Sequence, residues 1–512
     1  MKRVNFKIIL VVGLAFLAVG AVFMKSTNKE RTLRVAFPVK LKAAAYEPTN
    51  INLDHEYIFL ENVFSPLVEI SKDGSIESGV AEKMDWIGDE LKLTIRKTLK
   101  TASGKQITPD DVVFSLKRLL VLSGNTHGNF KDIVCPGVNL KTVEDDCPGI
   151  RKDQDSVYLN AKGRKSFLMP MLGAIDFAVI PRSSVDPKTL KIVDFSETSG
   201  PYWLEKEDES GEATLKLNPY HYFASKDVAE KIIFVPTDTT KPESSLKDLE
   251  EGRVDHLTTI DASKADKIIR FAQKHPDFES HVTMKIRSLF IVFTERGRKE
   301  LSSDERRYIG DKMKTVFSSI YAEIPGFEQR AEFFPSLGEG GLTQAQREKL
   351  ESMRELKKAE PKRHFKIGII KRTGYEEWAN PIAAALPQAD CYKETNVPDF
   401  KKYDKSEDVP HAWIASTDTG FMEDISLISY SLNAGLLGLS KEQRSKWLAD
   451  YMATDDKGSR INKLKELHYQ ALAEPAIVPL IASPYAALAR KPWKIELSDL
   501  YANNQLWRIT LR

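Results

Sequence analysis

Leu91, Leu93 and Ile95 alternate with Lys92, Thr94 and Arg96, the period of a half-buried strand. A turn at Ser103-Gly104 follows, and then Thr108-Pro109-Asp110-Asp111. Thr108 suits the cap of a helix, Pro109 its first position, and the two acids its positive end. The spacing predicts a helix over Val112–Leu122 with Val113, Leu116 and Leu120 on one face. The same alternation marks a strand at Leu33, Val35 and Phe37, and apolar residues gather around Pro66 between Asn62 and Ile70.

Further on, residues 202–235 are rich in strands: Leu215 and Leu217 alternate with polar neighbours, Asn218-Pro219 turns, and Lys231–Val235 is β-branched and apolar. A helix over Glu243–Glu251 stops at Gly252. Strands are expected at Ser288–Thr294, Phe365–Ile370, Ala412–Ala415 and Ile477–Ile481, and helices at Asp304–Tyr321, Gln344–Lys358, Lys441–Met452 and Ile461–Ala473. The helix at 344 is highly charged, and Pro361 lies just beyond it. Strands and helices alternate along the chain without an internal repeat, which gives an α/β (mixed α+β) fold class.

A chain of 512 residues exceeds what one hydrophobic core supports and implies several domains. With 75 basic against 73 acidic residues, the balance gives no support to a nucleic-acid binder. The N-terminus stands apart. Lys2, Arg3 and Lys7 precede an apolar run from Ile8 to Met24, closed by Lys25, the pattern of an export signal. Residues 1–30 are read as a signal peptide or a retained N-terminal anchor, with cleavage after Gly20 or Ala21 favoured, and no Cys follows to carry a lipid. The expected location is periplasmic, with residues 8–24 as the possible tether to the inner membrane. Cys135 and Cys147 bracket a short loop. In an oxidising compartment they form a disulfide; the other reading is two free thiols in a polar loop. Cys391 is left over, as a small buried hydrophobe.

Two stretches carry a resemblance. One is Ser103-Gly104-Lys105-Gln106-Ile107-Thr108-Pro109-Asp110-Asp111-Val112-Val113-Phe114-Ser115-Leu116-Lys117-Arg118-Leu119. The other is Ser199-Gly200-Pro201-Tyr202-Trp203-Leu204, followed by Leu217-Asn218-Pro219-Tyr220 and by Gly252-Arg253-Val254-Asp255. Asn62–Val68, Asp304–Tyr308 and Pro475–Leu480 add weaker matches in the same order. Together they resemble the extracellular solute-binding proteins of peptide and nickel ABC transporters (family 5, dipeptide/oligopeptide-binding type). The chain departs from that pattern at Lys100-Thr101-Ala102, where the family has a Phe-His-Asp-Gly run, and in a short, poorly matched region over about 285–478.

The resemblance implies a two-lobed periplasmic-binding-protein fold with hinge strands and a venus-flytrap cleft. Residues 31–52, 186–282 and 479–512 would build the core of the first lobe, 53–185 its accessory domain, and 283–478 the second lobe. It implies a receptor that captures a short peptide and delivers it to permease subunits of an ABC transporter, as a monomer and without a cofactor. A tethered receptor or regulator of the same fold, or a binder of an oligosaccharide, haem or nickel chelate, are the alternatives. For the ligand ammonium the family uses a carboxylate after the strand at 412–415, which falls on Asp418, with Thr419 beside it. A buried ammonium requires such a partner. Trp413 lines the pocket or sits in the core, and Tyr202 and Trp203 contact ligand or pack at a hinge. Catalytic signatures are missing: there is no His-Glu-x-x-His, no Gly-x-Ser-x-Gly and no phosphate-binding glycine loop, and Asp110-Asp111 is explained by capping. No enzyme is expected.

Overall fold

The computed structural model describes residues 31–51, 54–73, 75–124, 130–161, 165–238, 242–258, 265–323, 327–334, 341–353, 357–370, 375–394, 409–418, 432, 435–454, 456–496 and 505–511. The N-terminal apolar run lies outside them. No described helix is long and apolar enough to cross a membrane.

The first strands in chain order are β1 (Thr32–Phe37), β2 (Val68–Ile70), β3 (Ile76–Ser78), β4 (Ala81–Ile87), β5 (Glu90–Ile95), β6 (Ile150–Lys152) and β7 (Ser156–Asn160). Then come β8 (Tyr202–Glu207), β9 (Ala213–Leu217), β10 (Lys231–Pro236), β11 (His256–Thr258), β12 (Phe278–Phe293) and β13 (Glu328–Gln329). The last are β14 (Phe365–Ile370), β15 (Ala389–Glu394), β16 (Ala412–Asp418), β17 (Ile477–Arg490), β18 (Trp493–Ile495) and β19 (Ile509–Leu511). An eleven-stranded sheet runs in the order β15-β14-β16-β12-β17-β11-β1-β10-β9-β8, with β13 paired to β17. A separate four-stranded sheet, β4-β5-β7-β6, stands beside it.

The capped helix spans Pro109–Leu122. Thr108 and Asp111 form a reciprocal capping box: the Asp111 carboxylate accepts from the Thr108 N–H at 3.0 Å, and the Thr108 hydroxyl accepts from the Asp111 N–H at 3.4 Å. The sequence predicted one apolar face; the structure buries two. Val112, Leu116, Leu119 and Leu120 meet β5 and β7, while Phe114 joins the core under β1. The helix is therefore wedged between two cores, and this explains why Ser115 and Arg118 are buried as well.

Two strands are much longer than their apolar pattern. β12 begins ten residues before Ser288, because Glu279, Ser280 and His281 hide the alternation. β17 continues to Arg490 past Pro484, a residue that normally ends a strand interior. It is tolerated because the β12–β17 ladder is interrupted there. Thr283 pairs with Tyr485 and Arg287 with Ser483, so β12 advances four residues while β17 advances two. The charged helix from Gln344 ends at Ser352, short of the predicted Lys358. It buries no residue, so no packing prolongs it, and Ala359 turns back to bond the Asp304 carbonyl at 3.2 Å.

Cys135 and Cys147 are joined in a disulfide, both buried in the accessory core, with Cα atoms 5.1 Å apart. It ties the end of the helix Phe130–Val134 to the segment entering β6. For a sequence separation of 12, the chain-entropy cost of losing it is about 3 kcal/mol. A Cys135→Ala/Cys147→Ala protein should therefore show a lower unfolding free energy and a lower urea midpoint. A loss below about 1 kcal/mol contradicts this.

Candidate functional site

The directions of the strands locate the site. β1 runs parallel to β10 and β11, and β14 parallel to β15 and β16. β11 is antiparallel to β17 and β16 antiparallel to β12, with Thr258 opposite Ala487 and Asp418 opposite Arg287. The carboxyl ends of both parallel sets therefore point at the same place, the interruption in the β12–β17 ladder. In open α/β sheets, ligands bind beyond the carboxyl ends of parallel strands. Here two such ends face one junction.

On the second side, Asp418, Arg287 and Ser483 share one row across β16, β12 and β17. The sequence-derived carboxylate thus occupies the row of its strand nearest the junction; its side chain, and all of Thr419, lie outside the described residues. On the first side, Val39 follows β1 and Tyr57 lies in the helix Asp54–Val63, each 37% exposed. The His55 ring, on the second residue of that helix, meets the ring of Phe37 edge-on at 5.8 Å, so the helix begins at the carboxyl end of β1. Val39 and Tyr57 were not singled out from the sequence, because exposure is not a local property of it.

The other three candidates, each open to ligand contact or packing, sit as follows. Trp413 is 1% exposed and belongs to the core. It pairs with Gly368 in the parallel ladder, and a Cβ on Gly368 would come within 2.3 Å of the indole, so that glycine exists to let the ring lie across β14. Phe290, Val292 and Phe333 pack in the same buried cluster, which is continuous with the core under β5. Tyr202 is fully buried, its hydroxyl donates to the Ala229 carbonyl at 3.1 Å, and burial pushes its phenol pKa up. Trp203, half-buried, is its neighbour on β8, the outermost strand. Both sit at the amino end of β8, five strands or about 24 Å from β17, on the wrong end of the sheet for ligand. Gly200 lets the turn before them press on the backbone of Val63, where a Cβ would approach to 2.4 Å.

Among the described residues no group of His, Cys, Asp and Glu side chains is arranged to hold a metal ion. What the junction offers is backbone at strand ends, an apolar rim and one acidic position. That is the chemistry of holding a ligand.

A family profile described as "Bacterial extracellular solute-binding proteins, family 5 Middle" matches residues 75–307. No curated protein matches the sequence. Among solved structures, NikA from Brucella suis in complex with Fe(III)-EDTA superposes with a TM-score of 0.73 at 16% identity, covering 94% of this chain and all of that one. Haemophilus influenzae OppA in complex with the peptide RPPGFSPFR gives 0.68 at 15% identity, over 94% and 99% of the two chains. The Escherichia coli murein tripeptide binding protein MppA gives 0.66 at 15% identity over the same shares. The chain thus carries the two-lobed periplasmic-binding-protein fold, and its residues 75–307 match the profile of bacterial extracellular solute-binding protein family 5.

Proposed function

We propose that this protein captures a short peptide outside the inner membrane, between its two lobes, and delivers it to the permease of an ABC transporter. The observation that carries this reading is the convergence of both sets of strand ends on the junction that, among the described residues, β12 and β17 cross. The first lobe would comprise residues 31–282 and 479–512, including an accessory domain over 53–185, and the second lobe 283–478. An extended peptide presents main-chain donors and acceptors that match strand ends, and its ammonium requires a carboxylate. Asp418 is assigned that role, from its position in the row nearest the junction.

Native mass spectrometry of the protein purified from its own compartment tests the ligand class directly. Co-purified short peptides support the reading. A chelated metal would instead favour the second reading, which the superposition on the Fe(III)-EDTA form of NikA motivates. Asp418→Ala is expected to weaken a peptide with a free amino terminus by at least about 30-fold, and to leave an N-acetylated peptide within about two-fold. Equal losses for both remove Asp418 from the ammonium site.

A further inference from the structure

A cavity of about 160 Å³ opens in the second half of the molecule, on the opposite side of Pro479 from the junction residues of β17. Its floor is Ile477, Val478 and Pro479, at the start of β17. Its wall comes from the helix Ser303–Tyr321, which contributes Arg307, Gly310 and Asp311, and from the region around Glu332 and Arg347. Two cations on this wall are already neutralised. Arg347 is paired with Glu332, whose other oxygen accepts from the Leu342 N–H at 2.8 Å, and Lys358 is paired with Asp311.

Arg307 differs. One of its terminal nitrogens donates to Asp304 at 2.7 Å. Its Nε–H is buried and has no acceptor among the described groups. A guanidinium does not shed its proton to escape that cost, so the group is left with an unmet donor at the wall of an apolar-floored cavity. The Nε edge of a guanidinium is one of the faces that grips a carboxylate with two parallel bonds. The volume is close to that of a dry 150 Å³ cavity that takes benzene, so about six or seven heavy atoms fit.

We propose that this cavity is a second ligand site, distinct from the junction, which takes a small aliphatic carboxylate with its charge on Arg307 and its hydrocarbon on Ile477, Val478 and Pro479. The carboxylate is that of a plain acid or of a free amino acid, and the test distinguishes the two. Glu351 also lines the cavity and would favour the amino acid by receiving its ammonium.

Isothermal titration of the full chain with isovalerate, isovaleramide and 2-aminobutyrate, each of seven heavy atoms, tests the assignment. Isovalerate is expected to bind saturably, and isovaleramide, of the same shape without charge, at least about ten-fold more weakly. Arg307→Gln should remove that difference, and because Arg307 pairs among the described residues with the half-exposed Asp304, the fold should be kept. Tighter binding of 2-aminobutyrate than of isovalerate, lost in Glu351→Gln, would identify the amino acid as the source; equal binding would identify the plain acid. No saturable isovalerate binding up to about 50 mM, or equal affinity for acid and amide, overturns the proposal independently of any variant.

Discussion

Arg118→Ala is expected to destabilise the protein by about 3–5 kcal/mol, the cost of breaking a buried ion pair from one side. Arg118 is 1% exposed, on the inner side of the helix Pro109–Leu122. Its fork holds Glu47 through two bonds of 3.0 and 2.5 Å, and its Nε donates to the Leu190 carbonyl at 2.7 Å. Three distant pieces of chain are fastened by one side chain: the capped helix, the turn Pro48–Asn50 that Glu47 opens, and a turn whose Leu190 holds a left-handed φ of 57°. Removing the guanidinium strands the Glu47 carboxylate and the Leu190 carbonyl together. Urea unfolding should show the full loss in Arg118→Ala and a smaller one in Arg118→Met/Glu47→Met, where no charge is abandoned. If the single variant costs under about 1 kcal/mol, the clamp does not hold the lobe together.

The second large effect is a dependence on pH. Glu69 on β2 is 3% exposed. Burial pushes its carboxyl up to about 7, against the opposing pull of the Tyr222 hydroxyl, which donates to it at 2.7 Å, and of Arg508; Glu77 adds a smaller push upward. Its second oxygen has no partner among the described groups. The folded value lies above the ordinary one of 4.5, so the protonated form favours the folded state. Its contribution is complete below about pH 4.5 and lost as pH rises through about 7, and amounts to roughly 3 kcal/mol. His221 and His256, held neutral by burial, act oppositely: the stability they provide is present above 6.5 and lost on acidification. Comparison of parent and Glu69→Gln isolates the carboxyl from these. The variant should be the more stable protein at pH 8, and the gap should shrink toward pH 5. Urea midpoints that run parallel across that range would show that Glu69 does not titrate between folded and unfolded states.

Much of the fold could be read along the chain, and the reason is local. β5 alternates cleanly because one face is buried, and the helix after it announces itself by a cap, a proline and two acids. What escaped is what depends on partners far away in sequence. The full lengths of β12 and β17 follow from pairing with each other, across some two hundred residues, and Pro484 concealed the second. Arg118 belonged to a motif that could be named, yet only the packed structure shows it as a buried clamp. The site divided in the same way. Asp418 was placed near a strand end from residue order, and the strand directions put that end at the junction. Trp413, Tyr202 and Trp203 were aromatic residues near turns, and nothing local distinguishes a ring that waits for ligand from one that fills a core; Gly368 and the Ala229 carbonyl do.

The place of β17 in the sheet also dictates a timetable. β17 lies between β12 and β11, so the half of the sheet built by β1, β10 and β11 is missing an inner neighbour until residue 490 has emerged. Synthesis delivers that neighbour nearly last. The second half, by contrast, has β12, β14, β15 and β16 in hand by residue 418. Bringing Arg287 and Ser483 together closes a loop of almost two hundred residues, an entropic toll of about 5 kcal/mol before the last ladder forms. A nascent chain thus carries the open edge of β11, with its invitation to mispair, from residue 258 until β17 has emerged.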